Sequence, residues 1–441
     1  MPPQNSPVAR GNAVPGDKAT LDQWLGYLES IHPSEIDLGL DRVLLVLRRL
    51  FRRNPAGRII TIAGTNGKGS AVAALEKLLM ASGRSTGAYT SPHLQNYNER
   101  VRINGADVSD DQLVCAFSRV EEARRDTTLT YFEFGTLAAF VLFLEAGVED
   151  WVLEVGLGGR LDAVNVLDPD LAIITSVDID HVAFLGDNRE VIGFEKAGIL
   201  RPGIPAVYAD IDPPESVLQQ AAAQKVQLER PGETYQLVPC DPGIAPAGSL
   251  WLEQPRYGDR VLLPDNGLPV HSLAAAVVAV RQLAPELAPS AIEQVIARLT
   301  LPGRYEVLQQ QPRVVVDVGH NPHAANWLAA RIGRREPGAG RVIAVYAALE
   351  DKDVEGVAGA MAPVVDEWHL AGLDVHRGLS GPELVDRIGG LLRLPAATVS
   401  VSVSAAVEEA LGGAGPEDMV VIFGSFYTVA QARVSLGKTA P

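Results

Sequence analysis

A glycine-rich segment, Gly64 to Ser70, contains the residues whose types and spacing most clearly indicate chemistry. It reads Gly-Thr-Asn-Gly-Lys-Gly-Ser and lies between a β-branched run, residues 58–63, and a helical pattern at residues 71–80. In a loop of this kind the backbone N–H groups bind phosphate, while Lys68 is placed to reach the outer phosphates and Ser70 to hold Mg2+. The segment departs from the general P-loop pattern, because its first two glycines are three residues apart and another glycine follows the lysine. We therefore predict a phosphate site in preference to a glycine-rich turn without a ligand.

Two polar residues follow predicted strands of the same sheet. Glu154 ends an apolar strand, and the glycine-rich residues 156–162 come after it. His181 follows the next strand. A carboxylate at the carboxyl end of a parallel strand lies where such sheets bind ligands, and Mg2+ prefers oxygen ligands. We predict Glu154 as a magnesium ligand, although taken singly it could be a buried ion-pair partner and His181 an ordinary loop histidine.

The elements that must position these residues alternate between strands and helices. Residues 21–28 and 40–51 have the apolar spacing of amphipathic helices. Farther along, the alternation implies a mostly parallel sheet covered on both faces, whereas the Pro/Gly-rich residues 239–269 indicate irregular or short antiparallel structure. The predicted strands are residues 58–63, 85–89, 151–155 and 171–176, and the predicted helices are residues 71–80, 112–125 with Ser109 as the cap, 136–146 and 273–283.

A second alternation begins after Leu301-Pro-Gly-Arg304. Its predicted strands are residues 314–318, 342–346, 367–370, 398–403 and 419–423, with helices that include residues 383–392 and 405–411. We predict an α/β protein that has a loose leader at residues 1–18, a large P-loop ATPase-like domain at residues 19–300 and a smaller Rossmann-like α/β domain at residues 301–441.

The composition excludes several classes of protein. The 441 residues are 47% hydrophobic, which is enough for packed cores, and their formal net charge of −16 argues against general binding to nucleic acid or anionic membranes. The two cysteines, Cys115 and Cys240, lack metal-ligand spacing and fit a reducing compartment. We see neither the ~18-residue apolar run of a membrane span nor a signal-peptide pattern, so we predict a cytoplasmic protein.

A series of motifs extends in one order over nearly the whole sequence. They are Ile36–Leu40, Ala63–Ser70, Ser91–Leu94, Tyr131–Gly135, Leu153–Asp162, Asp180–His181, Glu195–Ile199, Leu301–Arg304, Asp317–Ala324 and Gly424–Phe426. Through these motifs the sequence closely resembles the bacterial dihydrofolate synthase/folylpolyglutamate synthase family of the Mur ligase superfamily. The resemblance implies that the large domain is of the Mur ligase central type.

The resemblance also implies an ATP-dependent amide ligase. ATP would phosphorylate the carboxylate of dihydropteroate, or the γ-carboxylate of a reduced folate, to an acyl phosphate. The amino group of L-glutamate would then attack this acyl phosphate, and ADP and phosphate would leave. Such phosphoryl transfer demands mainly charge neutralisation, which Lys68 and Mg2+ would supply. The resemblance further implies one or two Mg2+ ions, allows a monovalent cation and indicates a monomer.

The site residues that the resemblance implies fall into groups by ligand. ATP would be bound by Asn66, Gly67, Lys68, Gly69, Ser70, Ser272, Arg304 and Asp317. Metal would be bound by Ser91, Glu154, His181 and a modified Lys196. The pteroate or folate would be bound by Asp37, Leu38, Gly39, Phe132, Glu133, Phe134, Gly158, Gly159 and Arg160. The catalytic group would comprise Lys68, His181, Lys196, Asp317 and His320, with Ser425 nearby.

Lys196 and the helix start near residue 272 are two positions at which the comparison with the family has a specific consequence. Lysines near helix ends are usually solvated charges, but Lys196 resembles a family lysine that CO2 carbamylates, which requires a neutral amine and hence a lowered pKa. Family members commonly start a helix near residue 272 with Asn-Ala-Ala, whereas this sequence has Pro269-Val-His-Ser-Leu-Ala274. We expect Ser272 or His271 to replace that asparagine.

Three alternatives stay open at this point. A monofunctional folylpolyglutamate synthase is the closest alternative, and the sequence separates it only weakly. A cell-wall precursor ligase is disfavoured by the Ser91–Leu94 and Phe132–Glu133 motifs. A nucleotide-binding regulator that has lost catalysis would be expected to have unsuitable residues in the phosphate loop or at the metal positions. In this sequence Lys68, Ser91, Glu154 and His181 are all suitable for catalysis.

Overall fold

The fold is described from a computed structural model. The structure describes residues 13–16, 18–34, 36–51, 55–241, 243–335, 338–391 and 397–438. Most of the predicted leader, residues 1–18, and the end of the predicted helix at residue 392 therefore lie outside the described residues.

The helices are distributed along the whole described chain. They are α1 (Leu21–Ser30), α2 (Asp41–Leu50), α3 (Lys68–Ala81), α4 (Asp110–Arg124), α5 (Tyr131–Ala146), α6 (Val182–Leu185), α7 (Arg189–Ala197), α8 (Glu215–Ala223), α9 (Val270–Leu283), α10 (Pro289–Arg298), α11 (Pro322–Ile332), α12 (Val354–Met361), α13 (Gly381–Ile388), α14 (Val403–Gly413) and α15 (Phe426–Ser435). Short 3-10 helices occur at Tyr97–Arg100 and Ala163–Val166.

The strands alternate with these helices. They are β1 (Arg58–Ala63), β2 (Thr86–Tyr89), β3 (Val101–Ile103), β4 (Ala106–Asp107), β5 (Asp150–Glu154), β6 (Leu171–Ile174), β7 (Pro205–Tyr208), β8 (Gln227–Glu229), β9 (Gln236–Pro239), β10 (Leu250–Glu253), β11 (Arg260–Leu263), β12 (Glu306–Gln310), β13 (Arg313–Asp317), β14 (Val342–Tyr346), β15 (Glu367–Ala371), β16 (Ala397–Ser400) and β17 (Met419–Phe423).

The first sheet has the strand order β4-β3-β2-β5-β1-β6-β7-β8, and only its β3 and β4 pairings are antiparallel. Strand residues alternate between its faces, so Ile60 and Ile62 pack with α3, α9 and α10, while Ile59 packs on the face covered by α4, α5 and α7. Because both faces are covered, the central parallel strands are mainly apolar, and the charged residue Glu154 is found where β5 ends.

A small antiparallel sheet, β11-β10-β9, follows in the chain and packs on the α9 side of the first sheet. The prediction of short antiparallel structure at residues 239–269 is therefore confirmed for the strands within that stretch. The last sheet has the order β12-β13-β17-β14-β15-β16, with β12 antiparallel to β13 and the others parallel. Helices α11 to α13 cover one face and α14 and α15 the other.

These parallel-rich sheets confirm the predicted α/β class, while several element boundaries differ from the prediction, two of them for a clear local reason. Helix α5 begins at Tyr131 rather than residue 136, because Thr130 and Glu133 form a capping box. The predicted strand at residues 398–403 ends at Ser400, because the Ser402 side chain caps α14. Within the described part of the chain, no helix is both long enough and apolar enough to cross a membrane.

Candidate active site

The phosphate loop, residues 64–70, connects the end of β1 to the start of α3. Gly67 has φ +81°, and a side chain there would overlap the Ser272 hydroxyl at the start of α9. The Lys68 ammonium donates to the carbonyls of Gly64 at 3.1 Å and Thr65 at 3.3 Å, so it lies over its own loop. The loop therefore presents backbone N–H groups and one cation to the same space.

This space is a cavity of about 490 Å³, called here the smaller cavity. Its volume suits a small-molecule ligand, and residues from the first and last sheets line it. It brings together the predicted ATP-binding, metal-binding and catalytic residues, which are Asn66, Gly67, Lys68, Gly69, Ser70, Ser91, Glu154, His181, Lys196, Ser272, Arg304, Asp317 and His320.

The predicted metal ligands are held at one wall of the smaller cavity. Glu154 is buried and accepts a long hydrogen bond from the Ser91 N–H at 3.4 Å. Burial raises the pKa of Glu154, and the charges of Lys68 and Arg304 oppose this. Burial lowers the pKa of His181 to about 4, so its imidazole is neutral near pH 7 and has a lone pair for a metal.

These groups are too few to form a metal site by themselves. The described residues contain no cluster of three or more His, Cys, Asp or Glu side chains arranged to hold an ion. An ion at Glu154 and His181 would therefore need serine hydroxyls, waters or ligand oxygens to complete its coordination. One suitable group is the Ser70 hydroxyl, which is buried and has no hydrogen-bond partner among the described residues.

Lys196 lies at the end of α7 and is only 3% exposed. Burial, assisted by the nearby charge of Lys68, lowers the pKa of Lys196 to about 7. A substantial fraction of this side chain is therefore a neutral amine at neutral pH.

The end of β13 and the segments that flank β12 and β13 contribute Asp317, Arg304 and His320 to the smaller cavity. The Asp317 carboxylate accepts backbone N–H bonds from Tyr305 at 2.8 Å and Gly319 at 2.7 Å. Burial raises the pKa of Asp317, which Arg304 opposes, and burial lowers the pKa of Arg304, which Asp317 opposes. The Arg304 guanidinium lies 4.8 Å from the centre of the Phe426 ring. These residues add one cation and one anion to the lining of the smaller cavity.

Asp180 joins the two parts of the molecule in a way that sequence reasoning missed. Its carboxylate contacts Lys352 at 2.9 Å, Asn321 at 3.1 Å and His320 at 3.4 Å, all of which follow residue 300. Burial favours the neutral form of Asp180, but the His320 and Lys352 partners hold its pKa well below the usual range. Asn321 also exchanges 3.0 Å hydrogen bonds with Asn66 of the phosphate loop. Asp180 stood in a recognised motif, whereas nothing in the sequence singled out Lys352.

A second, larger cavity of about 1360 Å³ contains part of the predicted pteroate site. The predicted residues that line it are Asp37, Leu38, Gly39, Phe132 and Glu133. It shares Ser91, Pro92, Gly156, Leu157 and His181 with the smaller cavity. The two cavities therefore meet at Ser91 and His181, which are two of the four predicted metal ligands.

Arg42, which sequence reasoning also missed, holds two of these residues together. Its guanidinium contacts Asp37 at 2.7 Å and the buried Glu133 at 3.0 Å. Arg42 thereby ties the loop before α2 to the start of α5.

The remaining predicted pteroate residues do not line the larger cavity. Phe134 is fully buried against Phe117, because residues two apart on a helix face in different directions and Phe132 takes the cavity side. Gly159 packs on α7, where an added Cβ would lie 2.8 Å from the Glu195 carbonyl oxygen. Arg160 pairs with the Glu195 side chain at 2.8 Å. Gly158 lines the smaller cavity. The contact of these four residues with a pteroate stays a prediction.

Comparisons with known proteins give this geometry a family. The models described as the Mur ligase middle domain and the Mur ligase glutamate ligase domain match residues 62–230 and 303–426. The chain is 41% identical over 431 residues to the dihydrofolate synthase/folylpolyglutamate synthase of Escherichia coli K12, an alignment that covers 96% of this chain and 99% of that one. The chain belongs to the dihydrofolate synthase/folylpolyglutamate synthase family of Mur ligases.

Solved structures of this family agree with the fold. E. coli FolC in complex with DHPP and ADP has a TM-score of 0.89 at 39% identity, with 96% of this chain and 99% of that chain covered. The bifunctional enzyme of Yersinia pestis, complexed with AMPPNP and Mn ion, has a TM-score of 0.87 at 39% identity, with 96% and 100% covered. The predicted dihydrofolate synthase/folylpolyglutamate synthase family, its fold class and its ATP-dependent ligase function are thereby confirmed.

Proposed function

We propose that the chain uses ATP to join L-glutamate both to dihydropteroate, forming dihydrofolate, and to reduced folates, forming folylpolyglutamates. The observation that carries this proposal is the junction of the two cavities at Ser91, Gly156 and His181. A carboxylate that extends from the larger cavity can there meet the γ-phosphate of a nucleotide in the smaller one. The carboxylate oxygen attacks phosphorus, ADP leaves, and the glutamate amine then displaces phosphate from the acyl phosphate as the amide bond forms.

The phosphate loop supplies the charge neutralisation that this phosphoryl transfer needs. The N–H groups at the start of α3 would bind the phosphates, and Lys68 would leave its contacts with the loop carbonyls to reach the outer ones. Asn66, Ser272, Arg304 and Asp317 would bind other parts of the nucleotide.

The donor set of the smaller cavity fits one or two Mg2+ ions. The Ser70 hydroxyl lacks a partner, and Ser91, Glu154 and His181 present oxygen and nitrogen donors beside it. A bound Mg2+ would neutralise charge on the phosphates. The Mn ion in the Yersinia pestis structure supports a divalent metal in this family. A monovalent cation stays an expectation from the resemblance.

Lys196 in its carbamylated form would provide a further metal ligand. Its burial and its low pKa supply the neutral amine that reacts with CO2. The reaction joins the amine nitrogen to the carbon of CO2, and the nitrogen loses a proton. Intact-mass spectrometry in bicarbonate buffer should show the added mass in the wild-type chain and not in Lys196→Met. An unmodified Lys196 under ATP-bound conditions would contradict this assignment.

Residues 19–300 and 301–441 would act as two domains that close over ATP. Asp180 supports this because its partners His320, Asn321 and Lys352 all lie in the second part. His320, with Ser425 nearby, would then lie close to the nucleotide contacts of Arg304 and Asp317. We propose a cytoplasmic monomer whose partners are these small molecules.

The decisive experiment incubates the chain with ATP, Mg2+ and glutamate, and with either dihydropteroate or tetrahydrofolate. Mass spectrometry should find dihydrofolate in the first reaction and a glutamylated tetrahydrofolate in the second, each with one ADP per amide bond. Turnover of tetrahydrofolate alone would support the monofunctional alternative. Size-exclusion chromatography with light scattering should give the mass of one chain.

A further inference from the structure

The larger cavity contains a cationic side chain for which neither the sequence motifs nor the proposed mechanism has a role. Arg100 ends the 3-10 helix Tyr97–Arg100, and its side chain lines the cavity. The residue is only 9% exposed. A guanidinium this deep in a cavity needs compensation for the water that it has lost.

The partners of Arg100 are all uncharged. Its guanidinium lies 5.1 Å from the ring centre of Tyr97 and 5.5 Å from that of Tyr131, and its Nε donates to His93 Nδ1 at 2.9 Å. Because His93 Nδ1 accepts this hydrogen bond, it carries no proton, and the imidazole is an uncharged acceptor. Among the described residues, no carboxylate forms an ion pair with Arg100, and no group accepts from its two terminal nitrogens.

Neighbouring arginines are compensated differently. Arg42 contacts two carboxylates, Arg102 contacts Glu76 at 2.9 Å, and Arg377 contacts Asp351 at 3.5 Å. Arg100 is thus a buried cation whose planar guanidinium is held by two aromatic rings. Its two terminal nitrogens are available to donate to an anionic ligand. A guanidinium fork matches a carboxylate in two parallel hydrogen bonds.

The position of Arg100 indicates which carboxylate this is. Its carbonyl accepts the Thr90 N–H at 2.9 Å, and Thr90 precedes Ser91 at the junction of the cavities. The carboxylate that reacts must lie at that junction, and it is the only carboxylate of dihydropteroate. A folate has a second one, the α-carboxylate of its terminal glutamate, a short aliphatic chain away from the reacting γ-carboxylate.

We infer that Arg100 binds the α-carboxylate of the terminal glutamate of folate substrates, a contact that dihydropteroate does not make. Arg100 would then determine how strongly the site prefers a glutamylated pterin over a pteroate. This inference rests on the proposed function.

The test compares two ligands that differ only in the glutamyl group, dihydropteroate and 7,8-dihydrofolate. Their dissociation constants are measured by calorimetry with the wild-type chain, Arg100→Met and Arg100→Lys, together with kcat and KM for tetrahydrofolate. Arg100→Met should weaken dihydrofolate about tenfold or more relative to dihydropteroate, and should raise KM for tetrahydrofolate more than it lowers kcat. Arg100→Lys should recover part of this preference, because it restores the charge without the fork.

A matched control and two outcomes keep the inference falsifiable. Arg119→Met removes an arginine on the exposed side of α4 and should leave both affinities unchanged. Equal weakening of both ligands in Arg100→Met, with an unchanged thermal midpoint, would overturn the inference, as would no weakening of either. If Arg100→Met does not fold, the same comparison is made with Arg100→Lys. A wild-type chain that turns over neither dihydropteroate nor tetrahydrofolate would contradict the proposed function instead.

Discussion

The smaller cavity is bounded on one side by consecutive backbone groups of the phosphate loop, whereas the larger cavity is lined by side chains from segments far apart in the chain. In the first, a close approach between Gly67 and Ser272 sets the shape. In the second, Arg42 sets the shape by connecting Asp37 to Glu133. The phosphate loop has no room for an added side-chain atom at Gly67, whereas a cavity wall made of side chains can lose one contact and keep its other contacts. The two cavities should therefore differ in how steeply they respond to substitution.

Lys68→Ala should give the largest effect, because it removes the cation of the phosphate loop. We expect kcat for both proposed reactions to fall at least about 1,000-fold, since charge neutralisation is most of what phosphoryl transfer requires from a protein. ADP release in a coupled assay measures this loss. Lys77→Ala, at an exposed position of the same helix, is the control. Near-normal turnover in Lys68→Ala would refute the assignment of the smaller cavity to ATP.

Gly67→Ala tests whether the phosphate loop can accommodate an added methyl group. Gly67 and Gly83 have φ +81° and +85°, so alanine is strained by the backbone at both positions. Only at Gly67 would the added methyl meet a neighbour, the Ser272 hydroxyl, because nothing lies within 4 Å of a Cβ at Gly83. We expect kcat/KM for ATP to fall about 100-fold in Gly67→Ala, since small displacements of reacting groups are costly, and far less in Gly83→Ala. Similar losses in the two variants would show that backbone strain, rather than the close approach, is responsible.

The same contrast explains what the sequence could predict. The phosphate loop is contiguous, so strand, glycines, lysine and helix could be recognised locally, as could the strands at residues 58–63, 342–346 and 419–423, which the structure reproduces without change. The position of Glu154 at a strand end predicted a magnesium ligand, and the resemblance then indicated His181 and Asp317; all three line the smaller cavity.

The larger cavity was predicted less completely, because its walls depend on which face of an element turns inward. The sequence motif does not show which of Phe132 and Phe134 faces a ligand. Because α5 begins at Tyr131, the two side chains face in different directions, and that of Phe134 is buried in the core. Arg100 and Lys352 are ordinary charges in the sequence, since their partners are distant in the chain and the fold alone brings them together. Periodicity describes neighbours along the chain and carries no information on such pairs.

Lys352→Met tests the link between the parts of the molecule, and its effect should be smaller than that of Gly67→Ala. The Lys352 side chain is 10% exposed and contacts Asp180, which keeps Asn321 and His320 as partners after the change. Removing one partner of a buried ion pair generally costs about 3 kcal/mol, and the retained partners should reduce this to about 2 kcal/mol. We expect kcat to fall about 10- to 30-fold with dihydropteroate bound normally. A kcat equal to that of the exposed control Lys77→Met would show that this contact does not assist closure.

Arg42→Met should give the smallest effect and would sharpen the contrast from the side of the larger cavity. The contact of Arg42 with Asp37 is partly exposed, and Glu133 keeps its hydrogen bond from the Thr130 N–H at 2.8 Å, so the loss should be about 1 kcal/mol. We expect KM for dihydropteroate and for tetrahydrofolate to rise about fivefold, with KM for ATP unchanged. Arg48→Met, at an exposed position of the same helix, should change neither. A rise in the KM for ATP as well would show that the two cavities do not respond independently. The loop before α2 would then affect ATP binding through the residues that line both cavities.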